Sequence, residues 1–156
     1  NLHADAKNFG NPVFSELDLK KLKRPIKEKY DLVLLHPQSL SEEDTKKDIE
    51  QLKKFISKKK IIFIKGNKDK NYEIIEKFYA TLNKDKKYKI YKTLPKEKYF
   101  SFVKHCDKFY TNTSSISEII FLNKNCLVSI GNRNKKRVGH ELNKKAPELL
   151  YKYLKK

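Results

Sequence analysis

The chain has 156 residues, 38% of them hydrophobic, which is enough for one domain with its own core. No apolar run approaches the roughly 20 residues that a membrane-spanning helix needs, no signal or transit segment is visible, and Cys106 and Cys126 lack metal-ligand spacing, so a disulfide scaffold and a zinc site are set aside and a reducing, cytoplasmic setting is expected. The net charge of +18 comes almost wholly from lysines scattered over every segment, with arginine only at Arg24, Arg133 and Arg137, which argues against nucleic acid as the main partner.

The chain contains no methionine. It is therefore expected to continue a longer polypeptide, with a further domain on its N-terminal side. Residues 1–12, with the turn signal Gly10-Asn11-Pro12, read as a linker or hinge from that domain, and residues 13–156 as one folded unit. Ser15 to about Lys23 predicts a short helix stopped by Pro25. Asp31-Leu32-Val33-Leu34-Leu35 is a continuous apolar run of the kind buried on both faces of a sheet, ending at His36-Pro37. Ser41 followed by Glu42, Glu43 and Asp44 opens a helix, with Ile49, Leu52, Phe55 and Ile56 at helical spacing.

Ile61 to Ile64 is a second buried strand, closed by Gly66-Asn67. A helix from about Asn71 carries Ile74, Ile75, Phe78, Tyr79 and Leu82. Tyr88 to Leu94 alternates as a third strand, Pro95 begins a helix through Phe102-Val103, and Phe109-Tyr110 forms a fourth strand. A helix from Ser115 to Leu122, a fifth strand from Cys126 to Ile130 and a terminal helix from Leu142 to Leu154 complete the pattern. Alternation of this kind predicts an α/β fold, a parallel sheet of about five or six strands with helices on both faces, in which ligands bind beyond the carboxyl ends of the strands.

The residues at those ends are His36, Gly66-Asn67, Asn112 to Ser115 and Gly131 to Arg133. Asn112, Thr113, Ser114 and Ser115 place hydroxyls and backbone N–H groups where a helix begins, a setting for an anion. Their plainer reading is an ordinary N-cap cluster. Glu118 is one turn into that helix, where it can accept from ribose hydroxyls; the Ser115-x-x-Glu118 spacing equally fits a capping box. His36 can donate to a phosphate oxygen or serve the strand end structurally. Arg133 and Arg137, two of only three arginines, share one loop and suit phosphate or hinge contacts. The P-loop, the Gly-x-Gly-x-x-Gly turn, the zinc deaminase motif and the nucleophile elbow are all missing, so no cofactor and no metal is expected.

Leu34-Leu35-His36-Pro37, Leu94-Pro95 with Tyr99-Phe100-Ser101-Phe102-Val103, Asn112-Thr113-Ser114-Ser115 with Glu118, and Ile130-Gly131-Asn132-Arg133-Asn134-Lys135-Lys136-Arg137 resemble, in that order, motifs of the C-terminal half of UDP-N-acetylglucosamine 2-epimerases, the last being similar to the hydrolysing branch. The resemblance implies a Rossmann-like domain that forms one half of a two-domain, glycosyltransferase-B-like fold. His36, Thr113, Ser114, Ser115, Arg133 and Arg137 would then contact the diphosphate of UDP or a UDP-sugar, Glu118 the ribose and Tyr99 the uracil, with Asn67 and Asn112 lining the cleft. The carboxylates that move the sugar C2 proton would lie largely in the other domain, so none of the residues here is expected to be catalytic. The family often forms dimers. Ser115 or Ile116 stands where the family carries a small glycine, and Asn132 where it carries aspartate. Two alternatives stay open: half of a related UDP-sugar glycosyltransferase, and a basic adaptor for polyanions.

Overall fold

The structure, a computed structural model, describes residues 17–56, 59–82, 85–123 and 125–134. The linker expected over 1–12, the terminal helix and Arg137 lie outside the described residues. Among these residues a 3-10 turn at Leu19–Lys21 precedes β1 (Tyr30–Leu35), α1 (Glu42–Phe55), β2 (Lys60–Lys65), α2 (Tyr72–Leu82), β3 (Tyr88–Tyr91), α3 (Lys96–His105), β4 (Phe109–Thr111), α4 (Ile116–Leu122) and β5 (Leu127–Ser129). All five strands run parallel in the order β3-β2-β1-β4-β5, with Leu32 facing Ile62 across one ladder and Val33 facing Tyr110 across the other. This is a Rossmann-like α/β sheet.

The side-chain period of a strand sorts the core onto two faces. Val33, Leu35, Ile61 and Phe63 point to one face, where Ile49 and Leu52 of α1 and Ile75, Phe78 and Tyr79 of α2 cover them. Leu32, Leu34, Ile62 and Ile64 point to the other, beneath Phe102 and Val103 of α3 and Ile119 of α4. The chain therefore changes direction between β1 and β4, and the crevice opens beside that junction at the carboxyl edge. Both cysteines are buried free thiols packed into the second face.

Local chemistry explains the element ends. Ser41 Oγ accepts from the Asp44 N–H at 3.1 Å, and three acids occupy the first turn of α1. The helix expected from Ser15 to Lys23 is, in the described part, only the turn capped by Asp18, whose carboxylate accepts from Lys20 N–H. Lys20, Lys21, Lys23 and Arg24 leave no apolar stripe for a longer helix to bury; Leu17 and Leu22 instead pack on Phe100. The third strand is shorter than expected because its ladder ends at the Ile64–Tyr91 pair, after which Leu94 folds onto the second face.

Phe63 is wholly buried and meets the rings of Phe78, Tyr79 and Tyr88 edge to face. Replacing it with Ala is expected to lower unfolding stability by about 3–5 kcal/mol, checked by urea denaturation. A loss under about 1 kcal/mol would mean that this face is not the packed core described here.

Candidate functional site

Three strand-end loops converge at the carboxyl edge: residues 36–41 after β1, 112–115 after β4 and 130–134 after β5. Asn112 joins the first two. Its Oδ1 accepts from the His36 N–H at 2.8 Å, and its Nδ2 donates to the His36 carbonyl at 2.8 Å and to Asp48 Oδ2 at 3.0 Å. The side chain thus adds one more rung to the β1–β4 ladder. Asn112, expected to line the cleft, is instead buried and fully engaged.

The hydroxyl turn folds back on itself. Thr111 Oγ1 donates to the Leu34 carbonyl at 2.6 Å and accepts from Thr113 N–H at 3.0 Å, while Thr113 Oγ1 accepts from Ser115 N–H at 3.4 Å. Two of the N–H groups proposed as an anion cradle are therefore already held by threonine hydroxyls, and Thr113 is buried. Ser114 is exposed and Ser115 half-buried at the mouth of α4. Ser115 caps α4 without a side-chain hydrogen bond, so the Ser115 half of the capping box is not made. Glu118 is half-buried one turn on, and its charge bears on Tyr99.

Tyr99 itself is half-buried, its ring 5.1 Å from that of Phe100, and burial with the Glu118 charge pushes its phenol well above the usual range. The β5 loop closes the other side. Arg133 Nη1 donates to the Pro37 carbonyl at 3.2 Å, and Asn134 Nδ2 donates to the Thr113 carbonyl at 2.6 Å. Asn134 is almost fully buried, yet its Oδ1 has no partner among the described residues. Asn67 is exposed beyond β2 and is not drawn into this group.

His36 rests on Gly66. A Cβ at position 66 would come within 2.7 Å of the Leu35 carbonyl oxygen and 3.0 Å of His36 Nδ1, so the imidazole takes the space that only glycine leaves. Burial first, and the Arg133 charge second, hold the His36 pKa below its ordinary 6.5, with Asp69 opposing. The ring is consequently neutral near pH 7 and can donate one hydrogen bond without carrying charge.

Sequence reasoning missed Asp48, Gln38, Gln51 and Asn71. Asp48 sits with Thr45, Ile49 and Leu52 on the buried face of α1, and a carboxylate on an otherwise core-facing stripe was the available signal. Its Oδ2 also accepts from Gln38 Nε2 at 2.9 Å. Asn71, at φ 71°, donates Nδ2 to the Gln38 carbonyl at 2.8 Å and so ties the α2 entrance to the β1 loop. A cleft of about 350 Å³ between α1 and the β5 loop is lined by Gln38, Asp48, Gln51, Gly131, Asn132 and Arg133, among others. A wider hollow of about 730 Å³ lies past β2 and β3, where Lys65 Nζ is engaged by both Glu76 oxygens at 2.7 and 2.9 Å.

A parallel sheet whose order reverses at β1 and β4 defines a Rossmann-like class of domain, with loops rich in donors converging at the reversal. Within that class the assignment is direct: the family model for UDP-N-acetylglucosamine 2-epimerase matches residues 3–143, and the chain belongs to that family. It is 33% identical over 133 residues to a hydrolysing GDP/UDP-N,N'-diacetylbacillosamine 2-epimerase of Campylobacter jejuni, the match covering 78% of this chain and 34% of that one. The chain thus spans about a third of the curated relative's length. Its fold is similar to the UDP-GlcNAc 2-epimerase of Methanocaldococcus jannaschii in complex with UDP-GlcNAc and UDP, with a TM-score of 0.56 at 19% identity over 89% of this chain and 43% of that one. A second structure of the archaeal enzyme gives 0.53 at 19% identity, over 85% and 40%.

The titrations at the site have opposite signs. With its folded pKa below 6.5, His36 leaves stability intact above that value, and stability falls as the pH drops from 6.5 toward the folded value, because the unfolded chain takes up the proton first. Asp48, raised from 3.8 chiefly by burial, acts the other way: its contribution is lost as the pH rises from 3.8 through the folded value. His36→Gln is therefore expected to lessen the fall in melting temperature between about pH 7.5 and about pH 5.5. Parallel melts of the two proteins check this, and an equal fall in both would contradict it.

Proposed function

We propose that this chain is the UDP-binding half of a UDP-N-acetylglucosamine 2-epimerase acting by elimination of UDP, in the hydrolysing manner that yields the free 2-epimeric sugar. The observation that carries the reading is the convergence of His36, Ser114, Ser115 and Arg133 on one edge, in loops held by buried asparagines, within a chain of this family. The relatives' own descriptions, one hydrolysing and one with UDP and UDP-GlcNAc bound, support the ligand and the reaction class.

In this scheme the domain forms one side of a glycosyltransferase-B-like cleft in the cytoplasm, and the remainder of the enzyme supplies the other. A base there removes the proton at sugar C2, and the C1–O bond to UDP breaks in an anti-elimination that leaves a 2-acetamidoglucal. Water then adds to the double bond, and the proton returns to C2 from the opposite face. Negative charge grows on the β-phosphate as the bond breaks. Fixed donors that need no reorganisation stabilise that charge best, and neutral His36 and cationic Arg133 are the donors offered here. Arg137, four residues further along the sequence, is a third candidate for the same role.

Glu118 accepts from the ribose hydroxyls, Tyr99 forms a wall of the uracil pocket, and Ser114 and Ser115 face the diphosphate, with Thr113 shaping the turn beneath them. Calorimetric titration of UDP into the chain and into Glu118→Ala tests this. The variant is expected to bind UDP about tenfold more weakly, the usual loss for a charge-assisted hydrogen bond, with unchanged binding of inorganic phosphate. Equal affinity for UDP in both proteins would overturn the ribose assignment.

A further inference from the structure

Asp48 is 4% exposed on α1, and the diphosphate reading above gives it no role. Its carboxylate is a junction. Oδ2 accepts from Gln38 Nε2 and Asn112 Nδ2, and so touches the loops after β1 and β4 together. The rest of the group lies against the backbone of Gly131: a Cβ built there would fall within 2.6 Å of the Asp48 carboxyl carbon. Gly131 also has φ +64°, so its conformation and its contact both demand glycine. Its N–H donates to Gln51 Oε1 at 2.7 Å, one helical turn along α1 from Asp48. Two residues later Arg133 reaches back to the Pro37 carbonyl.

The turn bearing Arg133 is thus seated on α1 by Asp48 and Gln51. We propose, resting on the diphosphate reading, that Asp48 is a positioning residue for Arg133, holding the Gly131–Arg133 turn on α1 so that the guanidinium is presented beside His36 to the diphosphate of the nucleotide. Arg is a flexible side chain with several rotatable bonds, and its usefulness to a phosphate depends on how much of that freedom the protein has already removed. A seat in which carboxylate and glycine backbone are fitted to one another removes it at the root of the loop.

The test is a double-mutant cycle on UDP affinity, read by calorimetry on the full chain with thermal melts alongside. Arg133→Ala is expected to weaken UDP binding about tenfold. Asp48→Ala is expected to cost a comparable factor, and the double variant to be no more than about twofold weaker than either single one, because an unseated arginine has little left to lose. Asp48→Asn keeps an acceptor oxygen for Gln38 and Asn112 and is expected to return affinity to within about threefold of the unmodified chain.

Losses from Asp48 and Arg133 that simply multiply, or an Asp48→Ala protein that binds UDP as the unmodified chain does, would overturn the inference. A purely structural Asp48 would lower the melting temperature and leave the Arg133 effect intact. If Asp48→Ala does not fold, Gln51→Ala, on the half-exposed side of the same seat, carries the cycle: the same non-additivity with Arg133 is expected, and independence would overturn it. An unmodified chain that binds no UDP would overturn the diphosphate reading itself, and this inference with it.

Discussion

The carboxyl edge of this sheet depends on the hydrogen bonds of one side chain. β4 has only three residues, and its ladder with β1 ends at the Leu34–Thr111 pair, just where the two strands must diverge to open a crevice. Asn112 supplies the next rung with its carboxamide, accepting from and donating to the His36 backbone as a further strand residue would. A third bond, to Asp48, carries the tie to α1. Removing a buried group of this kind strands several polar partners, each costing about 1–3 kcal/mol. The loops can therefore leave the sheet at different angles and still be fixed relative to one another.

Other asparagines extend the principle outward. Asn71 holds the Gln38 carbonyl and Asn134 the Thr113 carbonyl, so each loop at the edge is tied to a different element by a carboxamide donor. The order gained there has an electrostatic purpose. His36 is kept neutral by burial and by Arg133, which leaves Arg133 as the fixed cation of the group and the imidazole as an uncharged donor. Such a pair can meet a diphosphate without the mutual repulsion of two full charges.

Much of this was legible in the sequence, and the boundary of what was legible is physical. The buried runs at Leu32 to Leu35 and Ile61 to Ile64 announced parallel strands, and Ser41 with its three following acids announced a helix, because these signals are local. Residues acting across long sequence separations were misjudged. Asn112 looked like a cleft residue because its partner His36 lies 76 positions away, and no local pattern distinguishes a carboxamide facing solvent from one that completes a ladder. The hydroxyl turn was seen, but not that Thr111 and Thr113 would use two of its N–H groups internally. Asp48 was passed over for the same reason: a polar residue on an apolar helical stripe reads as an interruption until distant Asn112 and Gly131 are found resting on it.

The lysine-rich surface is a separate matter from the site. Some of its ammonium groups sit beside acids one helical turn away, as Lys46 does with Glu42 and Lys53 with Glu50, pairs worth only about 0.3–0.5 kcal/mol each. A specific ligand at the asparagine-stitched edge would leave that surface undisturbed. The most direct measurement is a nuclear magnetic resonance titration of amide-labelled protein with UDP at moderate salt. Shift changes are expected to concentrate at His36, Gln38 and residues 113–118 and 131–134. Changes centred on the hollow around Lys65, Tyr72 and Lys92, or spread over lysines on every face, would contradict it.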